Sequence, residues 1–121
     1  MNILGLFAGW LWLLAQIAAA GATVQVEYRD SPWSRIINGQ PTAVVGEVWC
    51  LGRDSSMILL RTASPDIVVH EYAHAWDCAD NGRMDASPLP DDADISTVPP
   101  GHCRENLLET YACWYTNRAA Q

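Results

Sequence analysis

The fold is decided by the stretch Ser64-Pro65-Asp66-Ile67-Val68-Val69-His70-Glu71-Tyr72-Ala73-His74-Ala75-Trp76-Asp77-Cys78-Ala79. It opens with the signals of a helix start, namely Ser64 as N-cap, Pro65 at the first helical position and Asp66 in the first turn. Apolar residues fall on most sides of this helix, which predicts a central position in the domain. Its few polar side chains must then be satisfied inside the protein or in a cleft.

Residues 70–74 of this helix read His-Glu-Tyr-Ala-His, the HExxH pattern. His70 and His74 project from one helix face a turn apart, so two imidazole nitrogens can reach one ion at about 2.0–2.1 Å. Glu71 lies beside them and can deprotonate a water on that ion without being a ligand. The pattern therefore predicts one Zn²⁺ ion with His70 and His74 as ligands and Glu71 as catalytic base.

A last helix is predicted over residues 104–118, directly after Pro99-Pro100-Gly101. Its apolar side chains are expected to face a core, and they are Leu107, Leu108, Tyr111, Trp114 and Tyr115. Glu105, Glu109 and Cys113 share another side of it. The loop before it, residues 80–101, is long enough to need a function or a tether.

Three residues compete to be the third metal ligand. HExxH followed by a helix that carries a glutamate resembles the gluzincin group of zinc metallopeptidases, and this resemblance implies Glu109. Glu105 is the second choice, with Glu109 as its neighbour. Asp80 falls where the metzincin pattern HExxHxxGxxH, or its snapalysin-like variant ending in Asp, has its third ligand, although Asp77 replaces the glycine of that pattern.

The same resemblance implies further roles. In zincins the strand before the motif helix is a sheet edge that pairs with an extended substrate, and residues 57–62 stand in that place. Apart from that resemblance, the position of Asp77 one turn past His74 has two interpretations, a residue that orients an imidazole through its free N–H or a surface acid. A donor for the tetrahedral oxyanion is also expected, and the candidates are His102, Arg104, Tyr111 and Tyr115.

Three segments are predicted to be β-strands. Residues 23–28 alternate in period two, residues 43–50 are β-prone around a central glycine, and residues 57–62 are an apolar run. The predicted fold class is α+β, a small sheet of about three strands packed on the HExxH helix and the C-terminal helix, which is a minimal zincin core.

The N-terminal residues 2–22 carry no charged side chain and are almost wholly apolar. They have the length of a signal peptide, with small residues at 18–20 and 20–22 as cleavage sites. A retained membrane anchor and an unexported core helix are the alternatives. We therefore predict residues 1–22 as signal peptide or anchor, residues 23–121 as the zincin-like metallopeptidase domain, and a secreted, extracellular or periplasmic location.

Four cysteines, at 50, 78, 103 and 113, lack the paired spacing of a structural zinc site. Two disulfides are expected. Of the three possible connectivities, Cys78 with Cys103 and Cys50 with Cys113 is favoured, because the first pair would close the loop between the two helices.

The chain has a formal net charge of −7 and no lysine, which excludes nonspecific nucleic-acid binding. The predicted function is a zinc-dependent metallopeptidase acting on a peptide or protein substrate, with membrane contact only through an uncleaved N-terminal segment. The first alternative is an exported metal-binding or interaction module without catalytic activity. The second is a membrane-anchored structural protein whose HExxH is accidental.

Overall fold

The computed structural model describes residues 2–121 and confirms the α+β class. Its helices and strands are α1 Ile3–Ala19, β1 Thr23–Tyr28, β2 Trp33–Ile37, β3 Gln40–Val44, β4 Gly46–Cys50, β5 Ser55–Leu60, α2 Pro65–Asn81 and α3 Leu107–Ala119. Two short 3-10 turns, Ile95–Thr97 and Gly101–Arg104, lie in the connection between α2 and α3.

The main sheet has the strand order β1-β5-β4, with β5 parallel to β1 and antiparallel to β4. The expectation that the strand before the motif helix is a sheet edge is therefore wrong. Ile58, Leu59 and Leu60 are all fully buried, and a continuous apolar run of this kind suits a strand covered on both faces. The edges of this sheet are β1 and β4.

A second, two-stranded sheet pairs β2 with β3 antiparallel, so that Ile37 lies opposite Gln40. The two residues of its turn, Asn38 and Gly39, both have positive φ, 52° and 76°, as a type I′ hairpin turn requires. The sequence predicts a break at this turn but does not predict that its flanks pair. Mostly exposed strands, with Pro41 in β3, carry little hydrophobic signal.

Helix α2 is the predicted motif helix, and it ends at Asn81 where Gly82 adopts a left-handed conformation at φ 77°. Ser64 precedes it, but its hydroxyl donates to Asp66 and makes no capping hydrogen bond to the backbone. Nine of its residues are buried. The expected central position of this helix is confirmed, because it packs against α1, α3, β4 and β5.

Helix α1 packs on both α2 and α3, with Leu6, Leu13 and Ile17 buried in the main hydrophobic core. A Cβ added at Gly9 would come within 2.7 Å of the Cβ of Ala119, so the glycine permits close contact between α1 and α3. Within residues 2–121, no helix is long and apolar enough to cross a bilayer. Cleavage of residues 1–22 stays a prediction.

Helix α3 begins three residues later than predicted, at Leu107, because the side chain of Asn106 accepts a hydrogen bond from the backbone N–H of Glu109 at 2.9 Å. Leu107 is the first residue of this helix and is 60% exposed, so the expectation that it faces the core is wrong. Tyr111 and Trp114 are buried as expected.

Two disulfides are present, which suggests an oxidising compartment such as the extracellular space. They join Cys50 to Cys78 and Cys103 to Cys113, so the favoured pairing is wrong. The antiparallel return of α2 over the sheet places its last turn beside the end of β4. The short segment before α3 folds back onto that helix. Each disulfide therefore joins two cysteines that follow one another in the order of cysteines along the chain.

Candidate metal centre

The two histidines of the motif project from α2 toward α3. Their rings are 5.0 Å apart between centroids and meet nearly edge to face. His74 is buried and His70 is mostly buried, with side-chain exposures of 7% and 14%. Each presents its Nε2 atom to the same carboxylate, which is the geometry that the i, i+4 spacing was expected to produce.

That carboxylate belongs to Glu109, at the start of α3. Its Oε2 lies 3.0 Å from His70 Nε2 and its Oε1 lies 3.2 Å from His74 Nε2. The phenol of Tyr111 donates a 2.7 Å hydrogen bond to the carbonyl of Ala73, which joins the two helices between the histidines. Because Tyr111 is completely buried, this bond fixes α3 against α2 at the level of the site.

The distances from the Glu109 carboxylate to the two histidines are similar to those between ligands of a tetrahedral metal site. With metal–ligand distances of about 2.0–2.1 Å, neighbouring ligand atoms of a tetrahedral site lie about 3.3 Å apart. The contacts of Glu109 with His70 and His74 are close to this value. The two contacts are made by different oxygens of Glu109, so binding of one cation by all three residues would require their side chains to rearrange.

The charges of the site are strongly coupled. Burial alone would raise the pKa of the Glu109 carboxyl, but hydrogen bonds from His70 and His74 outweigh it and hold that pKa well below its usual range. Burial likewise lowers the pKa of His70, yet the hydrogen bond and charge of Glu109 raise it overall. The negative charge of Glu109 thus favours a positive charge at His70.

Glu71 lies behind the two histidines and is 5% exposed. Its Oε1 is 3.8 Å from His70 Nε2, and burial raises the pKa of its carboxyl above the usual value. Among residues 2–121, its Oε2 has no hydrogen-bond partner, and the same is true of the buried Nδ1 of His74. An unpaired, buried carboxylate oxygen beside the two histidines is typical of a site that receives a further polar group.

Gly46 at the start of β4 makes room for Glu71. A Cβ added at this glycine would lie 2.9 Å from Cγ and 3.1 Å from Cδ of the glutamate. Any other residue at this position would push the carboxylate out of place. The central glycine noted in the strand pattern therefore has a specific role, which is to let β4 approach the motif helix.

The other third-ligand candidates lie elsewhere. Asp80 is exposed, two turns beyond the site near the end of α2. Glu105 pairs with His102 Nδ1 at 3.3 Å, on the outer side of that ring. In the described part of the chain, Glu109 is the one candidate of the three with contacts to both motif histidines.

Asp77 does not orient an imidazole. Its Oδ2 accepts a 2.6 Å hydrogen bond from the backbone N–H of Ala86, and its Oδ1 accepts one of 2.9 Å from Asn81. The side chain is fully buried. Asp77 thus fixes the start of the long connection to the end of α2, and this is the tether that such a loop was expected to need.

Of the four expected oxyanion donors, three are used elsewhere. Tyr111 donates to Ala73, Tyr115 donates to the carbonyl of Pro88, and Arg104 donates to backbone carbonyls including that of Val98. His102 is the candidate that contacts the site itself, because its Nε2 lies 2.6 Å from Glu109 Oε2.

The sequence predicts His102 only as an oxyanion donor, whereas its position beside Glu109 is that of a potential ligand. The structure provides two overlapping groups that could hold a metal, His70 with Glu71 and His74, and His70 with His102 and Glu109. The sequence shows that His102 precedes Glu109 by seven residues. This spacing does not predict a contact, because it does not give the path of the chain between the two residues.

A cleft of about 1090 Å³ leads to these residues. It runs between the hairpin and β4 on one side and the helices α2 and α3 on the other, with His70, Glu71 and Glu109 in its wall. Glu47 of β4 binds the hairpin through Arg35 at 2.6 Å and the indole N–H of Trp33 at 2.9 Å. The hairpin is thereby held over one side of the cleft.

Comparisons with protein families, with curated proteins and with solved structures found no match to this chain. What is established is thus the chemistry of the site itself, a His-Glu-His group in a cleft that could hold a metal ion. The identity of that ion and the reaction belong to the proposal below.

Proposed function

We propose that this protein is a zinc-dependent metallopeptidase of the zincin type, with His70, His74 and Glu109 as metal ligands. The observation that carries the proposal is the convergence of both motif histidines on the two oxygens of one carboxylate, at 3.0 and 3.2 Å. Two imidazoles and one carboxylate are the donor set of a catalytic zinc site with an open position.

The donor chemistry favours zinc over the hard cations. Ca²⁺ and Mg²⁺ require six or more oxygen ligands or near-octahedral geometry with several waters. Here two of three donors are imidazole nitrogens, which suit zinc and its transition-metal neighbours. When bound in such a site, zinc lowers the pKa of a coordinated water to about 7 and polarises a carbonyl group.

Glu71 supplies the proton transfer. Its carboxylate lies within 3.8 Å of His70 Nε2, and its second oxygen has no partner within residues 2–121. Because burial raises the pKa of this carboxyl, Glu71 can accept a proton from the attacking water and then give it to the leaving amine. Gly46 keeps the side chain directed into the site.

The substrate is a peptide in extended conformation. In the described part of the chain β4 pairs with β5 alone, so its other edge carries free backbone groups beside the cleft. An extended chain can add to that edge through main-chain hydrogen bonds. We therefore assign to β4 the pairing role that the sequence analysis gave to residues 57–62.

The test is the Glu71→Gln variant, compared with wild type for zinc content and for hydrolysis of a mixture of unstructured peptides followed by mass spectrometry. We expect one zinc per chain in both proteins and loss of hydrolysis in the variant, because an amide cannot accept the proton. Glu27→Gln, at an exposed glutamate in β1, is the matched control. Full hydrolysis by Glu71→Gln would refute the mechanism.

The alternative function, a metal-binding module without catalysis, is favoured by one observation. His102 lies close enough to Glu109 to be a fourth protein donor, and a site closed by four protein ligands is structural rather than catalytic. Absence of hydrolysis in both zinc-loaded wild type and zinc-loaded His102→Ala would select this alternative.

A further inference from the structure

The position of His102 differs from that of an ordinary surface histidine. Its Nε2 lies 2.6 Å from Glu109 Oε2, and the same oxygen lies 3.0 Å from His70 Nε2. His102, His70 and Glu109 offer ligand atoms that all lie within 4.8 Å of one another. His70 and Glu109 are thus shared between the proposed zinc ligands and a second ligand group that contains His102.

The backbone around His102 is fixed, whereas its side chain is exposed and contacts two carboxylates, Glu109 at 2.6 Å and Glu105 at 3.3 Å. Cys103 is joined to Cys113 of α3 by a disulfide, and the guanidinium of Arg104 donates to the carbonyl of Val98 at 2.6 and 3.0 Å. The imidazole itself is 59% exposed. It can therefore rotate into solvent by giving up its contacts with Glu105 and Glu109.

The other ligands lack this freedom. His74 and His70 are largely buried on the central helix, and Glu109 is held by its contacts with both of them. Of the four side chains around the site, His102 is thus the one that can leave with little loss of packing.

We propose that His102 is a fourth, exchangeable zinc ligand that closes the site at rest and is replaced by water when the site opens. This inference rests on the metal site of the proposed function. The exchange breaks one metal–nitrogen bond and forms one metal–oxygen bond, with no change of oxidation state. A resting site with four protein ligands also restrains hydrolysis in a chain whose catalytic position is otherwise open to the cleft.

The experiment compares wild type with His102→Ala in two measurements, zinc affinity by competition with a chelator and the visible spectrum of the Co²⁺-loaded protein. We expect at least about a 10-fold loss of zinc affinity, since loss of residues that merely support a ligand already costs about 10–100-fold. We also expect the Co²⁺ absorption bands to shift and change in intensity, because an oxygen ligand replaces an imidazole nitrogen at an unchanged coordination number. Leu107→Ala, an exposed neighbour on α3, is the control and should change neither.

The outcomes separate this inference from the function on which it rests. Unchanged affinity and spectrum in His102→Ala overturn the fourth ligand, and a fall in kcat alone would assign His102 to the substrate oxyanion. Changed affinity and spectrum without hydrolysis in any variant support the fourth ligand while rejecting the peptidase. Failure of wild type to bind zinc or Co²⁺ overturns both.

Discussion

Replacement of Leu6 by alanine tests whether α1 is part of the working domain. Leu6 is 0% exposed and belongs to the main core, whereas Leu4, two residues earlier on the same helix, is 81% exposed. Truncation of a buried leucine costs about 2–5 kcal/mol, from lost transfer free energy and from the cavity that remains. The same substitution at Leu4 should change the free energy of unfolding by less than about 0.5 kcal/mol.

The assay is urea unfolding of the purified full-length protein, with thermal unfolding as a second measure. For a chain of this length, about 4 °C of Tm is expected per kcal/mol, so Leu6→Ala should lower Tm by roughly 8–20 °C. Leu4→Ala should stay within a few degrees of wild type. The pair shares helix, residue type and substitution, so that helix propensity cancels and burial alone distinguishes them.

Equal effects at Leu4 and Leu6 would refute the reasoning, since they would mean that α1 does not pack in solution. Mass spectrometry of the purified protein shows whether residues 1–22 have been removed. If residues 1–22 are removed, the apolar surfaces of α2 and α3 that α1 covers are exposed. The remaining domain should then be markedly less stable than the intact chain.

Three further results are expected. Glu109→Ala should abolish stoichiometric zinc binding measured by elemental analysis, while Asp80→Ala should retain it. The opposite result would identify Asp80 of α2 as the third ligand. Asp77→Ala should cost about 1–3 kcal/mol in urea unfolding, because it leaves the buried N–H of Ala86 unpaired, and zinc affinity should stay unchanged; a large loss of affinity would indicate that Asp77 orients a metal ligand. The metal-free protein should be most stable toward urea between about pH 4.5 and 6.5, which are the ordinary pKa values of Glu109 and His70. The lowered pKa of Glu109 gives stability that is lost as the pH falls through the pKa of Glu109 in the folded protein. The raised pKa of His70 gives stability that is lost as the pH rises through the pKa of His70 in the folded protein. Glu109→Gln should flatten this profile, and an unchanged profile would contradict the coupling.

The sequence predicted those parts of the fold that are encoded locally. The motif helix was found because Pro65, Asp66 and the apolar pattern all lie within it, and the i, i+4 spacing alone places His70 and His74 on one face. The alternation of residues 23–28 identified β1 in the same way. Such signals need no knowledge of distant parts of the chain.

Features that depend on long-range packing were less accessible. Whether β5 is central or at an edge depends on β1, which lies some thirty residues away and pairs with it in parallel. The disulfide partners follow from the direction in which α2 returns over the sheet. His102 became significant only through the path of the connection between α2 and α3, because no local pattern places its ring beside Glu109.

The disulfide connectivity has a consequence for how the chain is made. Both bonds join cysteines that are consecutive along the sequence, first Cys50 to Cys78 and then Cys103 to Cys113. A polypeptide that enters an oxidising space with its N-terminus first can close the first bond before its third cysteine arrives. Oxidation in order of emergence would then yield the pairs of the folded protein without rearrangement of a mispaired disulfide.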